Sequence, residues 1–430
     1  MKKIISLLLC LVFATLALAS CGNDGVGEDL DDSMKGYEKE ELTLNFYIVG
    51  DSTQDIPTVK ARINNHTAKE YKTKLEMFYI DESDYARTVI DALDAAKLAL
   101  ENETPTEADL NAIKNKPDFF LINSPEMMQE LYDKGHLADL SDFFYPEEYE
   151  RRVAFDKTQE NKFHEELIKK TEGLQNSIAE TLVSASIKYE TVVSIVDDKG
   201  TTKEEIKPKH YCVPNNRVIG TYTYLLIDRE AAKEAYLGQD TKLESYNLDN
   251  VSELIEAIKK AKNIDEEAVR KDYVKVVQGK YEDKAKYEAA NYPETTQKYT
   301  CNIISYPEVA GFIDEGVTVP ENVDNVFNSA FAVSKYTDID RAMEMVYALN
   351  TDTAFQNYLQ YGVENTNYVK IDGVVDTTDI PADNEYSMNP IYTGNMFNLL
   401  PSDFWTEEDK VNGKHQNDDS RVYEAPKASE

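Results

Sequence analysis

The alternation of patterns between residues 42 and 122 constrains the fold more than any other feature of the chain. Leu42, Leu44, Phe46 and Ile48 alternate with Thr43, Asn45 and Tyr47, and this period of two predicts a strand that ends at Gly50. Asp51, Ser52, Thr53 and Gln54 follow as a polar loop, and Pro57 suits the first turn of a helix carrying Val59 and Ile63. A second strand is predicted over 75–80. Ala86, Val89, Ile90, Leu93, Ala96 and Leu100 then recur at intervals of three and four, the signature of an amphipathic helix, and 118–122 is a short apolar run suited to a buried strand. Strand, helix, strand, helix, strand predicts parallel βαβ units with right-handed crossovers, hence an α/β fold. Such sheets present ligands at the carboxyl ends of their strands. Here those ends are 50–53, 81–83, and Asn123 with Ser124.

The third end is the most informative. Ser124 is placed to cap a helix whose first residue is Pro125, Glu126 lies near the positive end of its dipole, and Gly135 is ready to terminate it. The arrangement is either a hydrogen-bonding site for a hydroxyl-rich ligand or a capped helix start and nothing more.

The chain opens with Lys2, Lys3 and an apolar run over 4–19, shorter than a spanning helix requires. Leu18, Ala19, Ser20 and Cys21 resemble a bacterial lipobox, in which the cysteine thiol is lipidated and the chain is cut before it. That likeness implies a signal peptide over 1–20 and lipid attachment at Cys21 on the outer face of the bacterial cell membrane. The other reading is an ordinary signal peptide with an incidental cysteine. Gly22, Gly25 and Gly27 with the acidic residues 28–32 predict a flexible tether over 21–40.

Loss of residues 1–20 removes two lysines, so the formal charge of −34 becomes −34 − 2 = −36. Such a surface repels nucleic acid and anionic membranes and favours a neutral or cationic ligand. Of four cysteines, Cys212 and Cys301 remain, either paired or as two buried thiols. The remaining length suits two lobes of about 200 residues each.

Further along, 147–186 is polar and helix-compatible, with Phe163, Leu167 and Leu174 as its inner face. Two short strands flank a turn at 197–200. Val251, Leu254, Ile255, Ile258 and Ala261 predict a helix capped at Asn250, and 265–293 reads as a solvated helical hairpin. A strand is predicted over 300–306.

The order of segments is recognisable. The stretches at 118–144 (DFFLINSPEMMQELYDKGHLADLSDFF), 210–232 (HYCVPNNRVIGTYTYLLIDREAA), 330–352 (AFAVSKYTDIDRAMEMVYALNTD), 361–369 (YGVENTNYV), 392–405 (YTGNMFNLLPSDFW) and 415–420 (HQNDDS) resemble, in this order, extracellular substrate-binding proteins of ABC transporters, most nearly the sugar-binding family 1 group. The resemblance implies a two-lobed periplasmic-binding-protein-like (type II) fold with hinge crossings near 153, 325 and 385. One lobe would comprise 41–152 and 326–385, the other 153–325 and 386–430. It also implies a monomer that binds a carbohydrate, with an oligosaccharide the expected kind, and delivers it to the permease subunits of an importer, with no cofactor, no metal and no enzymatic step. Many oligosaccharide-binding relatives have a further helical segment after the Gln-Asn-x-x-Ser position, and contacts made there are not carried over.

Twenty-eight tyrosines are abundant for this length, and aromatic faces hold the C–H faces of sugar rings. The candidate ligand contacts are Asp51, Ser52, Asn123, Ser124, Asn215, Tyr222, Tyr306, Glu308 and Trp405. Trp405, the single tryptophan, is either a sugar platform or a structural anchor, and Asx turns explain the Asn and Asp residues as well. For catalysis, His164-Glu165-Glu166 lacks a second histidine at position 168, which is Ile, and no Gly-x-Ser-x-Gly elbow or P-loop occurs. A lipid-anchored glycan-degrading enzyme and a binding protein for peptide or amino acid are the alternative readings.

Overall fold

In the computed structural model the described residues are 40–51, 55–171, 174–195, 202–219, 222–236, 251–279, 299–304 and 325–419, some of them, Tyr222 and Cys301 included, by backbone alone. β1 (Leu42–Val49) pairs in parallel with β2 (Thr73–Ile80) along its whole length and with β3 (Phe119–Ile122) through Phe46 and Tyr47. Between them α1 (Ile56–Tyr71), with Pro57 in its first turn, buries Val59, Ile63 and Thr67. α2 (Glu82–Glu101) buries Tyr85, Val89, Ile90, Leu93, Ala96 and Ala99. The Tyr85 hydroxyl lies 2.9 Å from the carbonyls of both Tyr47 and Leu121, so its one proton ties α2 to two adjacent strands. A helix that the sequence reading did not predict, α3 (Glu107–Lys114), starts at a capping box: the Asp109 amide donates to Thr106 Oγ1, and the Thr106 amide donates to the Asp109 carboxylate.

α4 (Pro125–Asp133) begins as expected, with Ser124 Oγ accepting from the Met127 amide at 3.1 Å, and Gly135 follows its end at φ +65°. Next come α5 (Pro146–Phe155), α6 (Lys162–Thr171) and the antiparallel pair β4 (Lys188–Ile195) and β5 (Thr202–Lys209), which flank the anticipated turn. β6 (Val213–Pro214), β7 (Tyr222–Asp228), β8 (Val274–Gly279), β9 (Tyr299–Ile304) and β10 (Ala330–Val333) complete two larger sheets, ordered β2-β1-β3-β10-β6 and β8-β7-β9. β10 is antiparallel to both of its neighbours.

Each sheet has its own core. The five-stranded sheet shares one with α10 (Ile339–Thr351), whose Ala342, Met343, Val346 and Leu349 are fully buried. The segment after residue 153 packs against the same core. Leu167, Ile168, Leu174, Ile178, Leu182, Cys212, Val213 and Ile219 all join this first core, so the chain stays with the first sheet to about residue 219. A narrow apolar stripe on each short helix suffices for that, and His164 on α6, bridging Asp340 and Asp142, fastens the segment to α10.

In the second sheet, Leu225 and Ile227 of β7 face an aliphatic cluster with α7 (Arg229–Ala235) and α8 (Val251–Lys262), whereas Tyr224 and Leu226 face an aromatic cluster with Tyr361, Tyr368, Phe397 and Trp405. This is the period of two of a strand buried on both sides. The helical hairpin expected over 265–293 is not found. After α9 (Glu266–Asp272) the chain becomes β8, because β-branched Val274 and Val276 alternate and bury against the aliphatic cluster. The expected cap at Asn250 and residues 280–293 lie outside the described residues.

Cys212 is a fully buried free thiol, and burial pushes its pKa up to about 12; the Cys301 side chain lies outside the described residues. Among the described residues, no helix is long and apolar enough to cross a membrane, and no cluster of three metal-ligating side chains occurs.

Candidate functional site

The register of the first sheet assembles a polar row at the carboxyl edge of its parallel strands. Ala330 lies opposite both Ile122 and Pro214, so one residue further Ser329 stands between Asn123 and Asn215. The Asn215 amide donates to the Ser329 carbonyl at 3.2 Å, and Asn215 Nδ2 donates to Ser329 Oγ at 2.8 Å, which confirms that the row continues past the formal strands. Extending the parallel registers places Gly50 opposite Asn123 on one side and Asp81 on the other. The row therefore reads Asp81, Gly50, Asn123, Ser329, Asn215.

Two acceptors in this row have no donor among the described residues. Asn123 Oδ1 and Asn215 Oδ1 are both buried atoms with no hydrogen-bond partner there. A buried, unpaired amide oxygen costs about 1–3 kcal/mol; Asn350 Oδ1 in α10 is another, so what marks this edge is that two such oxygens share one row. Asn215 is fully buried, and its Nδ2 also donates to the Ile391 carbonyl at 3.1 Å. The Ser329 hydroxyl donates to the same carbonyl.

A segment from Tyr386 to Tyr392 crosses this edge. The Tyr386 hydroxyl is 3.0 Å from that of Tyr79 and donates to the Leu359 carbonyl at 2.7 Å. The Tyr392 hydroxyl donates to Glu82 Oε1 at 2.8 Å. Gly50 is required where the segment passes: a Cβ there would stand 2.7 Å from the Tyr79 ring and 3.2 Å from Met388 Sδ. Burial holds the Tyr79 and Tyr386 phenols protonated well above the ordinary tyrosine range. They act here as neutral donors and acceptors.

The remaining candidates are placed as follows. Asp51 is exposed just beyond β1, and Ser124 spends its hydroxyl on the α4 cap while standing next to Asn123. Ser52, Tyr306, Glu308 and the Tyr222 side chain lie outside the described residues. Trp405 is fully buried, its Nε1 donating to the Met396 carbonyl at 2.8 Å and its ring beside Phe397 at 5.8 Å. Of its two readings, the anchor fits this packing, because no ring face is open to a ligand. Sequence reasoning missed Ser329, Ile391 and Tyr392. Ser329 immediately precedes a buried strand, a position that would have marked it, whereas nothing local marks a contact made by a backbone carbonyl.

No protein-family model and no curated protein matches the chain. Among solved structures, the chain is similar to the N-glycan transport solute binding protein NgtS from Streptococcus pneumoniae in complex with Man1GlcNAc, at 14% identity over 88% of this chain and 83% of that one, with a TM-score of 0.47. It is also similar to an extracellular solute-binding protein of family 1 from Alicyclobacillus acidocaldarius, at 10% identity over 76% and 78% of the two chains and a TM-score of 0.34. An ABC substrate-binding protein from Listeria monocytogenes in complex with cycloalternan matches at 10% identity over 89% and 88%, also with a TM-score of 0.34.

Proposed function

We propose that the chain is the solute-binding component of an ABC importer, that it captures an oligosaccharide at the carboxyl edge of its five-stranded sheet, and that it delivers it to the permease unaltered. The observation that carries this reading is the pair of buried, donor-less amide oxygens at Asn123 and Asn215. They stand in one row with Ser329, at the edge where an α/β sheet presents its ligands. A sugar hydroxyl is the donor such oxygens lack, and the ordered likeness of the sequence to sugar-binding members of the family points the same way.

In this account the lobes follow the cores, one built on the five-stranded sheet and the other on β7, β8 and β9 with the segment 396–419. Chain crossings fall near 219, 325 and 393 rather than at 153. The Tyr386–Tyr392 segment is the strap by which closure is sensed at the edge, and ligand favours the closed form by touching both lobes. Cys21 carries the lipid that holds this monomer at the outer face of the membrane, its tether spanning 21–40. Neutral hydrogen bonds and stacking supply the affinity, and no covalent step is needed.

The test is a calorimetric titration with mono- and oligosaccharides, accompanied by product analysis. At least one oligosaccharide should bind without being cleaved, and Asn123→Ala should weaken it by about 3- to 10-fold, the worth of one neutral hydrogen bond. Release of a shorter product would replace this reading with that of a glycan-degrading enzyme.

A further inference from the structure

We infer that this site selects uncharged, hydroxyl-donating glycans and rejects their acidic counterparts, an inference that rests on the binding function proposed above. The unfilled positions at the edge are acceptors. Asn123 Oδ1 and Asn215 Oδ1 each need an incoming proton, which a sugar hydroxyl or acetamido N–H provides. A carboxylate, sulfate or phosphate group has essentially only lone pairs at neutral pH, and it would leave unpaired whichever of the two oxygens it faced.

The charges around the row add to this preference. Asp51, Asp81, Glu82, Asp84 and Glu126 are all exposed at the ends of β1, β2 and β3 or in the first turns of the helices that follow. By register Asp81 stands level with Gly50, two strands from Asn123, and Asp51 stands level with Glu82 and Ser124, so these carboxylates lie along the same edge as Asn123. The Tyr392 hydroxyl donates to Glu82, which keeps one carboxylate oriented along the edge. Arg217 is fully buried and donates to the Asn325 carbonyl at 2.9 Å, and Arg87, beyond the first turn of α2, pairs with Asp91 at 3.4 Å. The stretches 52–54 and 305–324 contain no lysine or arginine in their sequence. An acidic sugar seated on this row would thus face carboxylates of its own sign along the edge.

The experiment compares matched glycans of equal length by calorimetry on the whole protein: xylo-oligosaccharides with and without a glucuronic acid branch, chito-oligosaccharides against hyaluronan fragments, and an oligomannose-type glycan against a sialylated one. For whichever pair binds, the neutral member should bind at least about tenfold more tightly at low salt. The gap should narrow when ionic strength is raised past the point where the screening length falls below about 8 Å. It should narrow again in the Asp84→Asn/Glu126→Gln double variant, whose exposed carboxylates lie outside the row, with affinity for the neutral member kept within about threefold. An acidic member that binds as tightly as its neutral partner overturns the inference and leaves the transport reading standing. If no member of any pair binds, the carbohydrate reading itself fails, and the inference with it.

Discussion

The two larger sheets are built by different means. The five-stranded sheet starts from three parallel strands whose crossovers lie close in sequence, so β1, α1, β2, α2 and β3 are placed by patterns within 42–122. Its core is one continuous cluster in which Phe46 and Phe119 stack at 4.4 Å. The three-stranded sheet is antiparallel, and each face of its central strand meets a separate cluster. The aliphatic one comes from nearby helices. The aromatic one is assembled from Tyr361, Tyr368 and Val375 and from the 396–405 stretch, more than a hundred residues away. The three parallel strands of the first region are therefore encoded locally, while its β6 and β10 and the aromatic face of the second region are supplied by later parts of the chain. Shared ownership of the aromatic cluster makes it the place where the two regions are joined.

The largest expected effects separate these regions. Trp405→Ala and Phe119→Ala each remove a fully buried aromatic side chain and should cost about 3–5 kcal/mol. Hydrogen exchange should distinguish them: Trp405→Ala should lower protection of β7, β8 and β9 before that of β1 and β2, and Phe119→Ala should do the reverse. Equal loss throughout would mean that the two cores unfold as one and that the contrast drawn here is only geometric.

A second contrast lies within the first region, between two histidines of opposite sign. Burial alone would lower the pKa of His164, but hydrogen bonds and charges from Asp142 and Asp340 outweigh it and raise the value to about 9. A raised folded-state pKa means stability present in full below the unfolded value of about 6.5 and lost as pH rises through about 9. His210 is driven down to about 4 by burial, where its ring stacks on Phe144 at 3.9 Å and meets the Tyr145 hydroxyl at 3.2 Å. Its contribution is present above about 6.5 and fades as pH falls towards 4, by at most about 3 kcal/mol. Denaturation midpoints measured across pH should fall on both sides of a central plateau. His210→Phe should flatten the acid limb, and His164→Asn should flatten the alkaline limb and also remove part of what holds the Asp142 carboxyl low on the acid side.

The smallest effects are at the helix caps. Ser124→Ala in the first region removes the acceptor for the Met127 amide, and Asp228→Ala in the second removes that for Ala231 at 2.9 Å. Each should cost about 1 kcal/mol in urea denaturation. A much larger loss for Ser124→Ala would show that the sheet edge is strained beyond what its hydrogen bonds imply.

What could be read from the sequence follows the same division. Strands β1, β2 and β3, helices α1 and α2 and the Ser124 cap were legible because each is specified by residues a few positions apart. The membership of 162–219 in the first core was not, since Leu167, Leu174 and Val213 show that they are buried but not against what. β8 was hidden by the charged residues around Val274 and Val276, and α3 by a polar helix with no fully buried side chain. At the edge, Asn123 and Asn215 could be proposed from their positions beside strands. Their alignment across Ser329 depends on a β10 register that joins residues two hundred positions apart, which no local pattern contains.

The most direct test of the account is a crystal structure of the protein with a bound neutral oligosaccharide. The account predicts an intact sugar at the carboxyl edge of the five-stranded sheet, with a ring hydroxyl about 3 Å from Asn123 Oδ1. A sugar seated away from the row Asp81, Gly50, Asn123, Ser329, Asn215, with both amide oxygens still unpaired, would contradict it.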